Sequence, residues 1–332
     1  MVARPRLKEQ FRPLRRGGGQ VQLGQDPGVG VVLDGLGEDE VELLERLDGS
    51  LDEAAAAAWA AQRGIPAQRV ATLLATLRSH ALTVDSPAHR LDLARLPGPQ
   101  RVALRPDADA LACAYRRDDD GYAVLARRTA RSVLIHGCGT LPAVLAQALR
   151  QAGVGRVVAG PYAADARPPH TGQDLVVLAA SGAVEAAHAQ PWLAAGIPHL
   201  AVVLHGTSAE VGPLVRAGVG PCLRCLDLTR TDLDPAWPAL LAQLAPASIG
   251  RAPEASGETS LVFAAAGLAA MVALAALDGQ PPQPGRAFEV GLPLPRLGER
   301  IWAAHPECSC APHATGSAPA ASASSRQGTM AG

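Results

Sequence analysis

The apolar positions of the chain fall into two patterns with different periods. Short alternating runs come first: Phe11–Arg15, Gln20–Leu23 and Val29–Leu33, separated by Gly17-Gly18-Gly19 and by the Pro27-Gly28 turn. Alternation of that length between glycine-rich turns predicts three short strands. The period then lengthens. Glu38–Leu47 places Val41, Leu44 and Leu47 three residues apart beneath an acidic outer face. Leu51–Gln62 is alanine-rich, with Ser50 as its N-cap and Gly64 beyond its end. Pro66–His80 sets Val70, Leu73, Leu74 and Leu77 on one stripe. These three segments predict helices. From residue 130 onward the pattern changes again. Ser132–His136, Arg156–Ala159, Leu175–Ala179 and His199–Val203 are short Val/Leu runs of the fully buried type, and Leu141–Ala152 is a helical segment between the first two.

Three strands followed by three helices over residues 5–85 outline a small winged-helix domain. Alternation of strands and helices over 131–310 predicts βαβ units and a parallel sheet covered on both faces, a Rossmann-like α/β core. Breaks separate them. Residues 85–100 carry three prolines without a period, 278–286 is turn-rich, and 311–332 is Ala/Ser/Gly/Pro with almost no bulky apolar residue. The expected organisation is therefore a domain at 5–85, a linker with a helical segment at 86–130, a second domain at 131–310 and a disordered tail at 311–332. Leu261–Leu277 runs 17 residues without a charge. It sits at the lower limit for a membrane span and lacks a basic flank, so a helix buried on most sides is expected instead. Met1–Arg16 holds six basic residues but no apolar stretch, which does not read as a secretory signal. A cytoplasmic protein is expected.

With 332 residues, 48% apolar and 18% charged, the chain has material for real cores. A formal net charge of −1 argues against a nucleic-acid-coating role. Two absences are more specific: Lys8 is the only lysine among 30 basic residues, and there is no asparagine. Any reaction that needs a catalytic lysine or asparagine starts at a disadvantage.

Between the first Val/Leu strand and its helix lies Gly137-Cys138-Gly139-Thr140-Leu141-Pro142. Such a turn can present backbone N–H groups to a phosphate, or it can simply reverse the chain tightly. Pro142 stands where the third glycine of GxGxxG would lie. The next strand runs into Ala159-Gly160-Pro161-Tyr162, with no acid at its end to hold a ribose; Asp165 is the nearest carboxylate. NAD and FAD are therefore disfavoured.

Cys222 and Cys225 form a CxxC after Gly220-Pro221, and Cys308 and Cys310 form a CxC 83 residues later. Two tight pairs can complete a closed tetrahedral site of four thiolates, so structural Zn2+ is the expected cofactor. The CxxC is read as lying in a Gly/Pro loop, unlike the helix-opening CxxC of a thiol redox site. Cys113 and Cys138 are read as space-filling, and His305 and His313 as surface residues.

The GxGxx turn, the GPCxxC loop and the C-terminal CxC together resemble the ThiF/MoeB superfamily of ubiquitin-activating-type adenylyltransferases. The stretch 220–244, with Pro221, Arg224, Asp227, Arg230 and the run Asp234–Trp237, is similar to the ocin-ThiF-like branch, as is His305-Pro306-Glu307-Cys308. Members of that branch bind precursor leader peptides as partners of YcaO cyclodehydratases in azole-containing peptide biosynthesis. The resemblance implies that the leader pairs with Val29–Leu33 and packs against Pro66–His80. Candidate groove residues are then Val31, Leu33, Val70, Leu73, Leu74 and Leu77, unless they are core. It also exposes departures. Adenylating members use an acid after the second strand, an Arg, a Lys and an Asn near the phosphates, and an Asp on Mg2+. Here Leu175–Ala179 leads into Ala180-Ser181-Gly182, and no lysine follows Lys8. Gly137 and Gly139 are thus expected to form a vestigial nucleotide loop, with ATP binding disfavoured. The expected partners are a leader peptide, a YcaO-type cyclodehydratase and a possible second copy, without a membrane. Two other classes stay open: an active ThiF-type adenylyltransferase, and a winged-helix DNA-binding regulator. For the latter the last helix offers only Arg69, Arg78 and His80.

Overall fold

A computed structural model describes residues 3–26, 28–85, 96–116, 120–160, 172–245 and 254–310. Pro27, Pro161, Tyr162, Asp165, His313 and the tail at 311–332 lie outside the described residues.

The N-terminal unit closes on itself. Strand β1 (Pro5–Leu7) pairs antiparallel with β5 (Thr83–Asp85), tying the unit's two ends together. Between them β2 (Pro13–Gly17), β3 (Gln20–Leu23) and β4 (Val31–Leu33) form an antiparallel sheet in the order β2-β3-β4. Three helices follow: α1 (Glu38–Glu45), α2 (Glu53–Ala61) and α3 (Ala67–Ser79). Phe11 is not in a strand as expected; it ends a 3-10 turn, Glu9–Phe11, that drives its ring into the core. Helix α2 is capped by Asp52, not Ser50: the Asp52 carboxylate accepts from Ala55 N–H at 2.8 Å. A charged acceptor at the helix N-terminus makes the stronger cap.

Residues 96–116 and 120–130 contain three short helices, α4 (Gly98–Ala103), α5 (Arg105–Ala114) and α6 (Tyr122–Arg128), around Leu96, Leu104, Ala108 and Leu125. Lys8 pins this connector to the N-terminal unit. Its side chain is buried, and Nζ donates to Ala112 O at 3.1 Å. The only lysine of the chain is therefore an internal fastener rather than a phosphate ligand.

The larger body is one seven-stranded sheet in the order β12-β11-β10-β9-β8-β6-β7. Strands β6 (Ser132–His136), β7 (Arg156–Gly160), β8 (Leu175–Ser181) and β9 (His199–His205) are parallel. The parallel sheet expected over 131–310 is present in these strands and is extended beyond them by antiparallel ones. Strands β10 (Ser208–Val215), β11 (Arg286–Gly291) and β12 (Arg296–Ile301) run antiparallel, because only Gly206-Thr207 joins β9 to β10 and two residues cannot make a crossover. Helices α7 (Thr140–Gln151) and α11 (Thr259–Leu277) cover one face; α8 (Ala186–Ala194) and α9 (Leu223–Leu233) cover the other. A short α10 (Trp237–Leu244) has no buried residue. Among the described residues α11 alone is long and apolar enough to cross a membrane, and half of it is buried against the sheet and α7. It is less enclosed than expected, since Phe263 and Met271 are exposed.

Candidate functional site

The two cysteine pairs, far apart in sequence, meet at the start of α9. Cys222 is the N-cap of α9 and Cys225 lies in its first turn. The CxxC thus opens a helix, contrary to the loop expected for it. The companions decide its chemistry. Sγ–Sγ distances are 3.9 Å for Cys222–Cys225, 3.7 Å for Cys222–Cys308 and 3.3 Å for Cys225–Cys310, and all four sulfurs lie within 4.8 Å of one another. Four thiolates around a tetrahedral zinc, at Zn–S distances of about 2.3 Å, would be about 3.8 Å apart. The cluster is close enough to hold a metal ion, and its donor set fits zinc. Burial pushes the Cys222 thiol up to about 11 and raises Cys310 as well. Burial acts the same way on Cys225, but backbone groups of His305 and Cys222 and the neighbouring thiols outweigh it and lower that thiol. A divalent cation would have to displace protons from Cys222 and Cys310 on binding.

Side chains that the spacing did not single out hold the two halves together. His305 is not a surface residue but buried. Its Nδ1 accepts from Glu307 N–H at 3.2 Å and its Nε2 meets Asp232 on α9 at 2.8 Å, while its carbonyl accepts from Cys308 N–H. With Nδ1 accepting, the ring proton sits on Nε2. Arg230 lies 5.0 Å from both the Trp237 and Trp302 ring centroids and donates to Glu210, which also accepts from Trp302 Nε1. These contacts fasten the chain around 302–308 to α9 and so bring the CxC beside the CxxC.

The glycine turn follows β6 directly. Gly137 and Gly139 have φ of 135° and 98°, and a Cβ at either would collide: 2.6 Å from Ala179 O and 2.5 Å from Ser256 Oγ. The neighbour at Gly139 is the protein's own segment 254–256. Leu141 N–H donates to Ala255 O at 2.9 Å, Thr140 N–H to Ser256 Oγ at 3.3 Å, and Ala255 N–H to Cys138 O at 2.7 Å. Two amides at the start of α7, where a phosphate would sit, are thus already bonded within the chain. Ser181 at the end of β8 also donates to Ser256 O.

In the N-terminal unit β4 pairs only with β3, leaving its other edge open among the described residues. Val31 and Leu33 are half-buried and pack against the core, while Val32 points outward. Val70, Leu73, Leu74 and Leu77 are buried members of that core. The basic groups of α3 are engaged: Arg69 donates to Glu40 and to Gly35 O, and Arg78 pairs with Glu53.

No protein-family profile and no curated protein matches the sequence. Solved structures do share the fold. A heterocyclase in complex with substrate and cofactor superposes with a TM-score of 0.62 at 15% identity over 94% of this chain and 40% of its own. PaaA gives 0.65 at 15% identity over 89% and 99% of the two chains. E. coli MccB with ATP gives 0.64 at 13% over 93% and 99%. The chain spans about two-fifths of the length of the heterocyclases it matches.

Proposed function

Starting from the fold shared with a heterocyclase, PaaA and MccB, we infer that this chain recognises the leader of a ribosomally made precursor peptide and presents it to a YcaO-type cyclodehydratase. The observation that carries this is the open edge of β4 in the N-terminal sheet. In this reading residues 5–85 act as a winged-helix recognition unit. Backbone N–H and C=O groups of β4 bind the leader as an added strand, and side chains beside Val31 and Leu33 set its specificity. The sheet body docks the partner. Tethering the leader raises the local concentration of the core peptide at the partner's active site. Cys222, Cys225, Cys308 and Cys310 would hold Zn2+, which supplies cross-linking, with no open position for chemistry.

The body makes no bond of its own in this reading. The bonded amides of Thr140 and Leu141, and a lysine confined to position 8, favour a scaffold without adenylation. The engaged arginines of α3 speak against DNA as the ligand. Fluorescence polarisation with the labelled leader of a short Cys/Ser/Thr-rich precursor encoded beside this gene should give saturable binding that Val31→Glu abolishes; no binding would end the reading. ATP–pyrophosphate exchange with that precursor should stay at background, and robust exchange would restore the adenylyltransferase alternative.

A further inference from the structure

A cavity of about 230 Å3 opens at the N-terminal end of β4. Sites for small molecules run about 300–1,000 Å3, so this one has room for a single bulky side chain. Phe11, Val29 and Val31 line it from the N-terminal unit, Cys113 and Arg116 from the connector. Val31 is at once a wall of the cavity and the first residue of the open strand, so a peptide added to that edge runs past the mouth. Every second side chain of the peptide then points toward the cavity side.

The chemistry of the lining is mixed. Phe11, Val29 and Val31 bring apolar side chains beside exposed backbone at Gly28 and Gly30, and burial raises the Cys113 thiol. The cavity also carries two exposed basic residues, His80 and Arg116. Arg116 has a φ of 45°, a left-handed conformation that a non-glycine residue holds only where its surroundings impose it. Its Nη2 donates to Gly28 O at 3.2 Å, across 88 residues of sequence. The connector therefore completes the cavity, and Lys8–Ala112 and Arg105–Glu9 hold it in place.

On the premise of the leader reading, we propose that this cavity is the specificity pocket of the peptide edge: it takes one bulky apolar side chain of the added strand, while Arg116 and His80 bind a neighbouring carboxylate. The ligand is thus an extended peptide with a large apolar residue next to an acidic one, and its selection depends on the connector as well as on the recognition unit.

The test uses the full chain and the labelled precursor leader described above. Two readouts are taken: polarisation, and the rate of Cys113 alkylation by N-ethylmaleimide mapped by mass spectrometry, with Cys138 as the internal control. The leader should slow alkylation of Cys113 and leave Cys138 unchanged. Arg116→Glu, an exposed change, should weaken binding about tenfold or more, as expected when an attractive contact becomes repulsive. Replacing the leader's carboxylates by amides, or its bulky apolar residues by alanine, should each pick out one position with a similar loss. Leader that binds while Cys113 reacts at an unchanged rate and Arg116→Glu binds as tightly would overturn the pocket and leave the leader reading standing. No binding of any leader would remove both.

Discussion

Where the connector meets the body, one ion pair is fully enclosed. Arg128 at the end of α6 and Asp278 just after α11 have side chains 3% and 1% exposed. The contact is bidentate, Nε to Oδ1 at 2.8 Å and Nη2 to Oδ2 at 2.5 Å. Arg128 Nη1 also donates to Ala152 O, and the Tyr115 hydroxyl donates to Asp278. A carboxylate at a helix C-terminus opposes the dipole, so Asp278 depends on this arginine. Asp278→Ala leaves the guanidinium buried with a single carbonyl partner. Removing one member of such a pair costs about 3–5 kcal/mol, about a fifth or more of the roughly 5–15 kcal/mol that holds a domain together. Asp278→Asn keeps the shape but turns an NH2 donor toward the guanidinium, and should fall between wild type and alanine. Arg128→Met with Asp278→Leu removes both charges and should recover most of the loss, because buried pairs are often replaceable by apolar residues of similar volume. Urea unfolding followed by tryptophan fluorescence reads the order. A cost below about 1 kcal/mol for Asp278→Ala, the range of an exposed pair, would show that burial does not set the strength of this contact. A double variant as unstable as the single one would be equally damaging.

Other outcomes follow from the cysteine cluster and the buried histidines. Purified chain should carry about one equivalent of zinc, and Cys225→Ser should lose it; full metal content in that variant by elemental analysis would contradict the four-sulfur site. His305→Ala should retain the metal but release it to chelators about tenfold more readily, since the loop bearing the CxC loses its tie to Asp232. His136, behind the glycine turn, is lowered to about 4 by burial and then by repulsion from His188, against an ordinary value near 6.5. The unfolded chain therefore binds a proton that the folded one refuses, and stability should fall as pH drops from about 6.5 to about 4. His199 and His205 are lowered by burial in the same direction. His136→Phe should flatten part of that decline in urea midpoints measured across the range; an unchanged pH profile would show that His136 does not set it.

What could be read from the residues was whatever a local period carries. Leu175–Ser181 and His199–His205 are buried on both faces, so their unbroken apolar runs stand out; α3 shows its stripe because one side faces a core. Strand β12, Arg-Leu-Gly-Glu-Arg-Ile, is an exposed sheet edge and has no buried face to impose a pattern. Strand β10 carries Glu210, Gly212 and Pro213, and its strand character comes from its place between β9 and β11. The cysteine pairs announced themselves by spacing, but the residues that join them did not. His305, Asp232, Arg230 and Trp302 meet only through folding, as do Arg128 and Asp278, 150 positions apart. The lone lysine was visible as a count, and its role as a buried fastener of the connector was not.

If this chain recognises and delivers a peptide without making bonds itself, reconstitution will show it. Precursor, ATP and the YcaO-type partner are incubated with and without this chain, and ring formation is read by mass spectrometry as loss of one water per heterocycle. Dehydration is expected only when both proteins are present, and none from this chain alone with ATP. Equal dehydration by the partner without this chain, or an adenylated precursor from this chain alone, would show that delivery without catalysis is not its role.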